Sequence, residues 1–157
     1  MKLIAHRGNI FGPNLDKENH PDYILKALDY GCDVELDLWV TDNNLFLGHS
    51  SPDYAIDSNF IQSNAEKFWV HCKNIEALWT CMFKLKDINY FWHQEDDLSV
   101  TSKNIFWTYP GKPLTPNSVM LIVSEDALKT EQIGGDIYGI CTDYVDEVKG
   151  RLEEWKK

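Results

Sequence analysis

The sequence predicts an α/β fold: a compact barrel of βα units, truncated or distorted relative to a full eightfold barrel. Three observations predict it. Short apolar runs alternate with polar or amphipathic stretches along the chain, the pattern of parallel strands joined by crossover helices. Seven such runs recur at a spacing that suits a closed or nearly closed barrel better than an open sheet. The chain has only 157 residues, whereas eightfold barrels of this TIM type take about 250 and seldom fewer than about 200. Some units must therefore have lost a helix or even a strand. A single domain over residues 1–157 is what this length accommodates.

The elements follow in order. Leu3 to Ala5 is the first strand. His20 to Tyr30 carries Tyr23, Ile24, Ala27 and Leu28 at helical spacing and is closed by Gly31. Asp33 to Val40 is the second strand, and Asp42-Asn43-Asn44 turns the chain into Leu45-Phe46-Leu47 as a hairpin return. Phe68 to Cys72 is the next strand, followed by a helix from about Ile75 to Leu85. Tyr90 to Trp92, Ile105 to Trp107, Val119 to Val123 and Tyr138 to Cys141 supply four further strands. Glu125 to Gln132 and Val145 to Trp155 read as the last two helices. Asn104 to Ser118 contains Pro110, Gly111, Pro113 and Pro116, so a loop is expected where a helix would otherwise lie.

Charge and cysteine content narrow the function classes. Fifteen Lys and Arg against 25 Asp and Glu give a formal net charge of -10. Coating nucleic acid requires clustered cations, so no nucleic-acid partner is expected. Attachment to anionic lipid through a basic patch is disfavoured for the same reason. No run of about 18 apolar residues is present, so no membrane insertion is expected. The apolar start, Met1 to Ala5, is too short for a secretion signal. Cys32, Cys72, Cys81 and Cys141 form no Cys-x-x-Cys motif and are expected as reduced, buried thiols of a cytoplasmic protein.

The chemistry is concentrated in the first third of the chain, with His71 and Lys73 following on the third strand. His6-Arg7-Gly8 follows the first strand directly. Glu35 and Asp37 lie two apart on the second strand and leave the same face. Carboxylates sharing one face are costly unless solvated or bound to a cation. His49 follows Gly48 after the hairpin return. His71 and Lys73 repeat the two-residue spacing on the third parallel strand. In a parallel barrel the C-terminal strand ends converge on one mouth, so His6, Glu35, Asp37, His49 and Lys73 are expected in one pocket.

Together, Ile4-Ala5-His6-Arg7-Gly8, Glu18-Asn19, Val34-Glu35-Leu36-Asp37-Leu38, Thr41-Asp42 and Gly48-His49 resemble the signature of the glycerophosphodiester phosphodiesterases. That family shares its barrel with phosphatidylinositol-specific phospholipase C and the spider-venom phospholipase D enzymes. Gly139 to Tyr144 also resembles the family's last strand. The resemblance implies that His6 and His49 act as acid and base. It further implies that Glu35 and Asp37 bind one divalent metal ion, Mg or Ca, and that Arg7 and Lys73 contact the substrate phosphate. Glu18 is implied as a supporting residue near His6.

Three departures from the family pattern stand out. The third metal ligand, acidic in the family and two residues before the lysine, is His71 here, which favours Mn or Zn. Ser50 replaces the Asp that commonly follows the second histidine. About a third of the usual barrel is missing. From the sequence, His71 reads either as a ligand or as a hydrogen-bonded interior residue. His20 reads as a helix-start residue, Trp39, Trp92 and Trp107 as core, and Glu125 and Asp143 as caps or turns. His93 is a candidate for the mouth.

The residue types suit phosphodiester cleavage on physical grounds as well. A divalent ion with Arg7 and Lys73 neutralises phosphoryl charge, while His6 and His49 titrate near neutrality and can move protons. A hydroxyl beside the phosphate would attack first and give a cyclic phosphate; otherwise water attacks. The expected function is metal-dependent hydrolysis of a small organic phosphodiester. The alternatives are a non-catalytic phosphate-binding module that retains the pocket, and an interaction protein with no metal affinity.

Overall fold

The computed structural model describes residues 1–155. Ten strands and five helices follow one another as β1 (Lys2–His6), α1 (Pro21–Asp29), β2 (Asp33–Thr41), β3 (Asn44–Leu47), β4 (Tyr54–Ile56), α2 (Ser58–Gln62), β5 (Phe68–Cys72) and α3 (Ile75–Phe83). The second half supplies β6 (Asn89–Phe91), β7 (Leu98–Val100), β8 (Phe106–Thr108), β9 (Ser118–Ile122), α4 (Glu125–Thr130), β10 (Gly139–Thr142) and α5 (Val145–Trp155). Lys156 and Lys157 lie outside the described residues.

Seven strands pair in parallel in the order β6-β5-β2-β1-β10-β9-β8. Chain order is kept around the curl, with β1 at the centre. The antiparallel strands β3, β4 and β7 extend β2 and β8. The fold is thus mixed α/β with a curled, open sheet. The sequence expectation of a closed or nearly closed barrel is corrected here: among the described residues no strand ladder joins β6 to β8. In place of a ladder, Ser102 N–H donates to the Tyr90 carbonyl (2.8 Å) and Ser102 Oγ–H to the Ile88 carbonyl (3.2 Å). Phe91 and Trp107 stack at 4.5 Å from either side. The physical reason is the missing unit: the β6–β8 connection returns as β7 against β8 and contributes no parallel strand.

Helices are few because the chain is short. The connection from β8 to β9, which holds the three prolines expected to exclude a helix, contains none. Where helices do form, local chemistry ends them as expected. His20 caps α1 by accepting the Asp22 N–H, Pro21 opens its first turn, and Gly31 follows at φ 97°. Ile24 and Ala27 bury the inner face of α1. Three elements escaped the sequence reading: β4, β7 and α2 are three to five residues long, too short to show a period.

The core has the two-sided burial of parallel strands, with Val34, Leu36, Leu38, Val70, Ile4 and Ile140 fully enclosed. Aromatic side chains fill the interior on the open side, where Trp69 contacts both Trp107 and Tyr138. Trp107 is a core residue as expected, whereas Trp92 and Trp39 are half-buried, Trp92 packed against the core and Trp39 with its Nε1–H donated to the Gly48 carbonyl (2.7 Å). All four cysteines are free and buried. Among the described residues no helix is long and apolar enough to cross a membrane.

Asn74 links the sheet to the start of α3. Its Oδ1 accepts from Ala77 N–H at the start of α3 (3.1 Å) and from Val40 N–H (3.2 Å), while Nδ2 donates to the Val40 carbonyl (2.8 Å). The amide thereby stands in for a strand partner where β5 has ended. Asn74→Ala should cost about 2 kcal/mol, combining a lost helix cap with a lost ladder contact. Asn74→Asp, which retains the cap but not the donor, should cost less. Urea unfolding with unchanged slope measures both, and equal stability of the alanine variant and wild type would contradict the linkage.

Candidate active site

The site lies at the C-terminal ends of the parallel strands, where a βα architecture gathers its loops. Strand register does most of the assembly. In the β1–β2 ladder His6 is level with Glu35, and in the β2–β5 ladder Asp37 is level with His71. Two adjacent rows of functional side chains therefore lie on the inner face. Glu35 is 2% exposed and Asp37 fully buried.

The loops complete these rows. Arg7 and Gly8 both adopt left-handed backbone, φ 52° and 86°, and fold the chain back over β2. A Cβ on Gly8 would meet Tyr23 Cδ1 at 3.0 Å and Ile24 N at 3.3 Å, so this turn can press against α1 only with glycine. Arg7 pays a conformational cost of a kind common at functional sites. It gains two carboxylates: Nε lies 3.0 Å from Asp37 Oδ2 and Nη1 donates to Glu18 Oε2 (3.0 Å). Gly48 follows β3, and a Cβ there would collide with the Ser51 carbonyl at 2.0 Å. The Gly-His pair is thus explained sterically: the tight loop that carries His49 tolerates no side chain before it.

Asp37 is the hub. Its Oδ2 accepts from Asn19 Nδ2 (2.8 Å) and lies 3.4 Å from His49 Nδ1; its Oδ1 is 3.0 Å from His71 Nδ1 and 3.3 Å from Lys73 Nζ. Burial alone would raise its pKa, but His49, His71 and Arg7 outweigh burial and hold it well below the ordinary carboxylate value. Glu35 behaves in the opposite way. Burial and the neighbouring Asp37 charge raise its pKa above normal, with His6 and Arg7 only partly compensating.

Two of the histidines each have one ring N–H fixed by a partner. His6 Nδ1 is 2.8 Å from Asp143 Oδ1; a carboxylate accepts, so Nδ1 carries the proton and Nε2 faces the cavity. Burial would lower the His6 pKa, yet the Asp143 hydrogen bond and the Glu35 charge prevail and raise it. His71 Nε2 is 3.0 Å from the His93 carbonyl, which also can only accept. The His71 Nδ1 is therefore directed at Glu35 Oε1 (3.8 Å) and Asp37 Oδ1 (3.0 Å).

Glu35, Asp37 and His71 can each turn one ligand atom to within 4.8 Å of the others. Two further observations fit a divalent cation. Asp37 Oδ1 is buried and lacks a well-directed hydrogen-bond donor. His71 donates its outer N–H to a carbonyl, the support that metal-ligating imidazoles ordinarily have. His71 is hydrogen-bonded through one ring nitrogen, as one of its two sequence readings has it, and its other nitrogen is directed at the carboxylates.

A cavity of about 470 Å³ opens above the cluster. His6, Arg7, Glu35, His49, His71 and Lys73 form its charged side, and Trp107, Tyr109, Leu121 and Val123 its apolar side. Six of the eight residues expected in catalytic, phosphate or metal roles line this cavity; Asp37 lies within 3.4 Å of Arg7, His49, His71 and Lys73, and Glu18 lies behind Arg7, where it also accepts from Asn9 Nδ2 (2.9 Å). His93 lines the mouth, and burial lowers its pKa. His20 is only a helix cap, and Glu125 only pairs with Lys129 one turn on.

One expectation is corrected. Asp143 is not confined to a turn or cap role: it orients His6 and accepts from buried Asn9 (2.8 Å). Asn9 and Asn19 were likewise missed as supports. Their signal in the sequence is slight, since Asn19 appears only as a motif partner of Glu18 and Asp143 only at a strand end. No family model matches this chain, and no curated protein matches it.

The opposed shifts of Glu35 and Asp37 lead to a stability test. A carboxyl whose folded pKa is raised contributes stability only while protonated, below the ordinary carboxylate value, and loses it as pH rises through the folded value. At neutral pH Glu35 is therefore a net cost to the metal-free protein. Glu35→Gln should raise the melting temperature at pH 7 without added metal, with the gain fading below about pH 4. A lower melting temperature at pH 7 would contradict the burial and like-charge argument.

Proposed function

We propose that the chain is a metal-dependent phosphodiesterase acting on a small organic phosphodiester, of the glycerophosphodiester phosphodiesterase kind. The observation that carries this reading is the juxtaposition, in one cavity, of the Glu35–Asp37–His71 cluster, two cations and two imidazoles. The parallel strand order, sequential around the curl, supports the companion reading of the fold as a TIM-type barrel that has lost part of one side.

In this reading Glu35, Asp37 and His71 hold one divalent ion. When bound, it supplies neutralisation of phosphoryl charge and polarisation of an oxygen nucleophile. The remaining work belongs to the chain. Arg7, pre-oriented by Glu18 and Asp37, and Lys73 attract the diester anion and stabilise the charge that builds on its oxygens. His6, fixed by Asp143, presents Nε2 to the cavity and takes or gives a proton there. His49, on the more open side, serves the opposite oxygen. Whether a neighbouring hydroxyl or water attacks follows from the substrate.

The N,O,O donor set favours Mn or Zn over Ca, because imidazole is softer than carboxylate. Calorimetry should rank Mn and Zn above Ca for wild type, and His71→Glu should shift the ranking toward Mg and Ca. Loss of all divalent binding is expected for the Glu35→Gln, Asp37→Asn double variant. Equal metal binding by that variant and wild type would remove the metal from the proposal.

Turnover of bis(p-nitrophenyl) phosphate separates catalysis from the non-catalytic alternative. His6→Ala and His49→Ala should each lower divalent-dependent turnover by roughly 10² to 10⁴, and the double variant should fall little further. Asp143→Asn should lower turnover with metal affinity unchanged, since it acts through the His6 tautomer. Metal and phosphate binding with no turnover of any diester would establish the binding-module reading instead.

A further inference from the structure

Building on the phosphodiesterase reading, we propose that one of the diester's two ester groups is aromatic: its ring lies on the apolar side of the cavity while the phosphate lies on the charged side. Strand alternation assembles the apolar side. Trp107 on β8 and Leu121 on β9 belong to the interior cluster, and Tyr109 and Val123, two residues beyond them, continue the same two inward rows into the cavity wall. At the same end of β1, β2 and β5 the inward positions hold His6, Glu35, Asp37 and His71. His93 stands at the seam: its ring centroid lies 6.4 Å from that of His71 and 5.1 Å from that of Tyr109. Its Nε2 is buried without a hydrogen-bond partner among the described residues, and a buried polar atom left over in a cavity wall is one that a ligand satisfies. The ester oxygen between phosphate and ring is the ligand atom that reaches such a junction.

Chemistry and size identify the group. A polyol would bring hydroxyls against Leu121 and Val123, which cannot hydrogen-bond them. Gln94 and Glu95 also border the cavity, but both are exposed to water. A cationic head group is best held between free aromatic faces, whereas the Trp107 ring is already stacked on Phe91 at 4.5 Å and tilted against Trp69 at 6.0 Å. Arg7 and Lys73 in the same cavity repel a cation as well. A long acyl chain is too large: about 150 Å³ holds a benzene ring, so a cavity of about 470 Å³ seats a phosphate and a ring and little more. A flat ring meets the remaining requirements. It buries against the aliphatic pair and packs on Tyr109, which is 44% exposed.

Calorimetric titration of the full chain in the presence of Mn, with dimethyl phosphate, methyl phenyl phosphate, methyl hexyl phosphate and glycerophosphocholine, tests the proposal. Methyl phenyl phosphate should bind at least roughly 10-fold more tightly than dimethyl phosphate, and more tightly than the hexyl ester or glycerophosphocholine. Tyr109→Ala and Val123→Asn should each reduce the phenyl-to-dimethyl ratio by roughly threefold or more. The wild-type series decides by itself if either variant fails to fold. Equal affinity for the phenyl and dimethyl esters overturns the aromatic group and leaves the phosphodiester reading standing. A hexyl ester or glycerophosphocholine that binds as tightly as the phenyl ester overturns it too, as does a ratio that neither folded variant changes. Binding of none of the four removes the phosphodiester reading, and the aromatic group with it.

Discussion

The arrangement of the site depends on one fully buried carboxylate. Asp37 is enclosed in the sheet, and a charge there persists only if it is surrounded by donors and cations. Those partners come from three separate parts of the chain: Arg7 and Asn19 from the β1–α1 connection, His49 from the loop after β3, and His71 and Lys73 from β5 and its end. Asn19 binds from both sides, accepting the Asp37 N–H (2.9 Å) while donating to its side chain. Satisfying Asp37 therefore forces the loops into the relative positions that form the cavity. Folding energetics and site geometry are the same set of contacts.

Glu35, two residues away, is the counterpart. It receives no comparable set of cations, so its burial is only partly compensated and its proton is held more tightly. A pair of carboxylates driven in opposite directions by burial and neighbours is a common mark of a functional site. Here the asymmetry leaves an electrostatic deficit that a cation would relieve, and His71 closes the remaining side with its Nδ1. The His6–Asp143 pair, at the other end of the row, has the same logic: a buried acceptor fixes which ring nitrogen is free to face the cavity.

The short chain keeps this mouth by economising elsewhere. Helices follow β1, β4, β5, β9 and β10, and none lies in the β6–β8 and β8–β9 connections. On that side Phe91, Trp107 and Trp69 fill the interior, and Ser102 bridges strand ends without a ladder. Aromatic side chains bury large areas each, so a few of them can close an interior that a regular sheet would otherwise seal. The consequence is an asymmetric cavity, charged where the strands are fully paired and apolar where they part.

By itself the sequence determined the parallel strands, most crossover helices and the charged cluster, because these follow from local periodicity and from residues a fixed few positions apart. Glu35 and Asp37 must share a face, and His71 and Lys73 likewise, whatever the rest of the chain does. It also located the proline-rich stretch that forms no helix. Only tertiary structure decided the strand register that levels His6 with Glu35 and Asp37 with His71, the opening between β6 and β8, and the role of Asp143. Each of these is a pairing between distant segments. His6 and Asp143 are 137 residues apart, and no local pattern distinguishes a strand-end aspartate that caps a turn from one that orients an imidazole. The difference lies in which side chain the folded sheet brings within hydrogen-bonding distance.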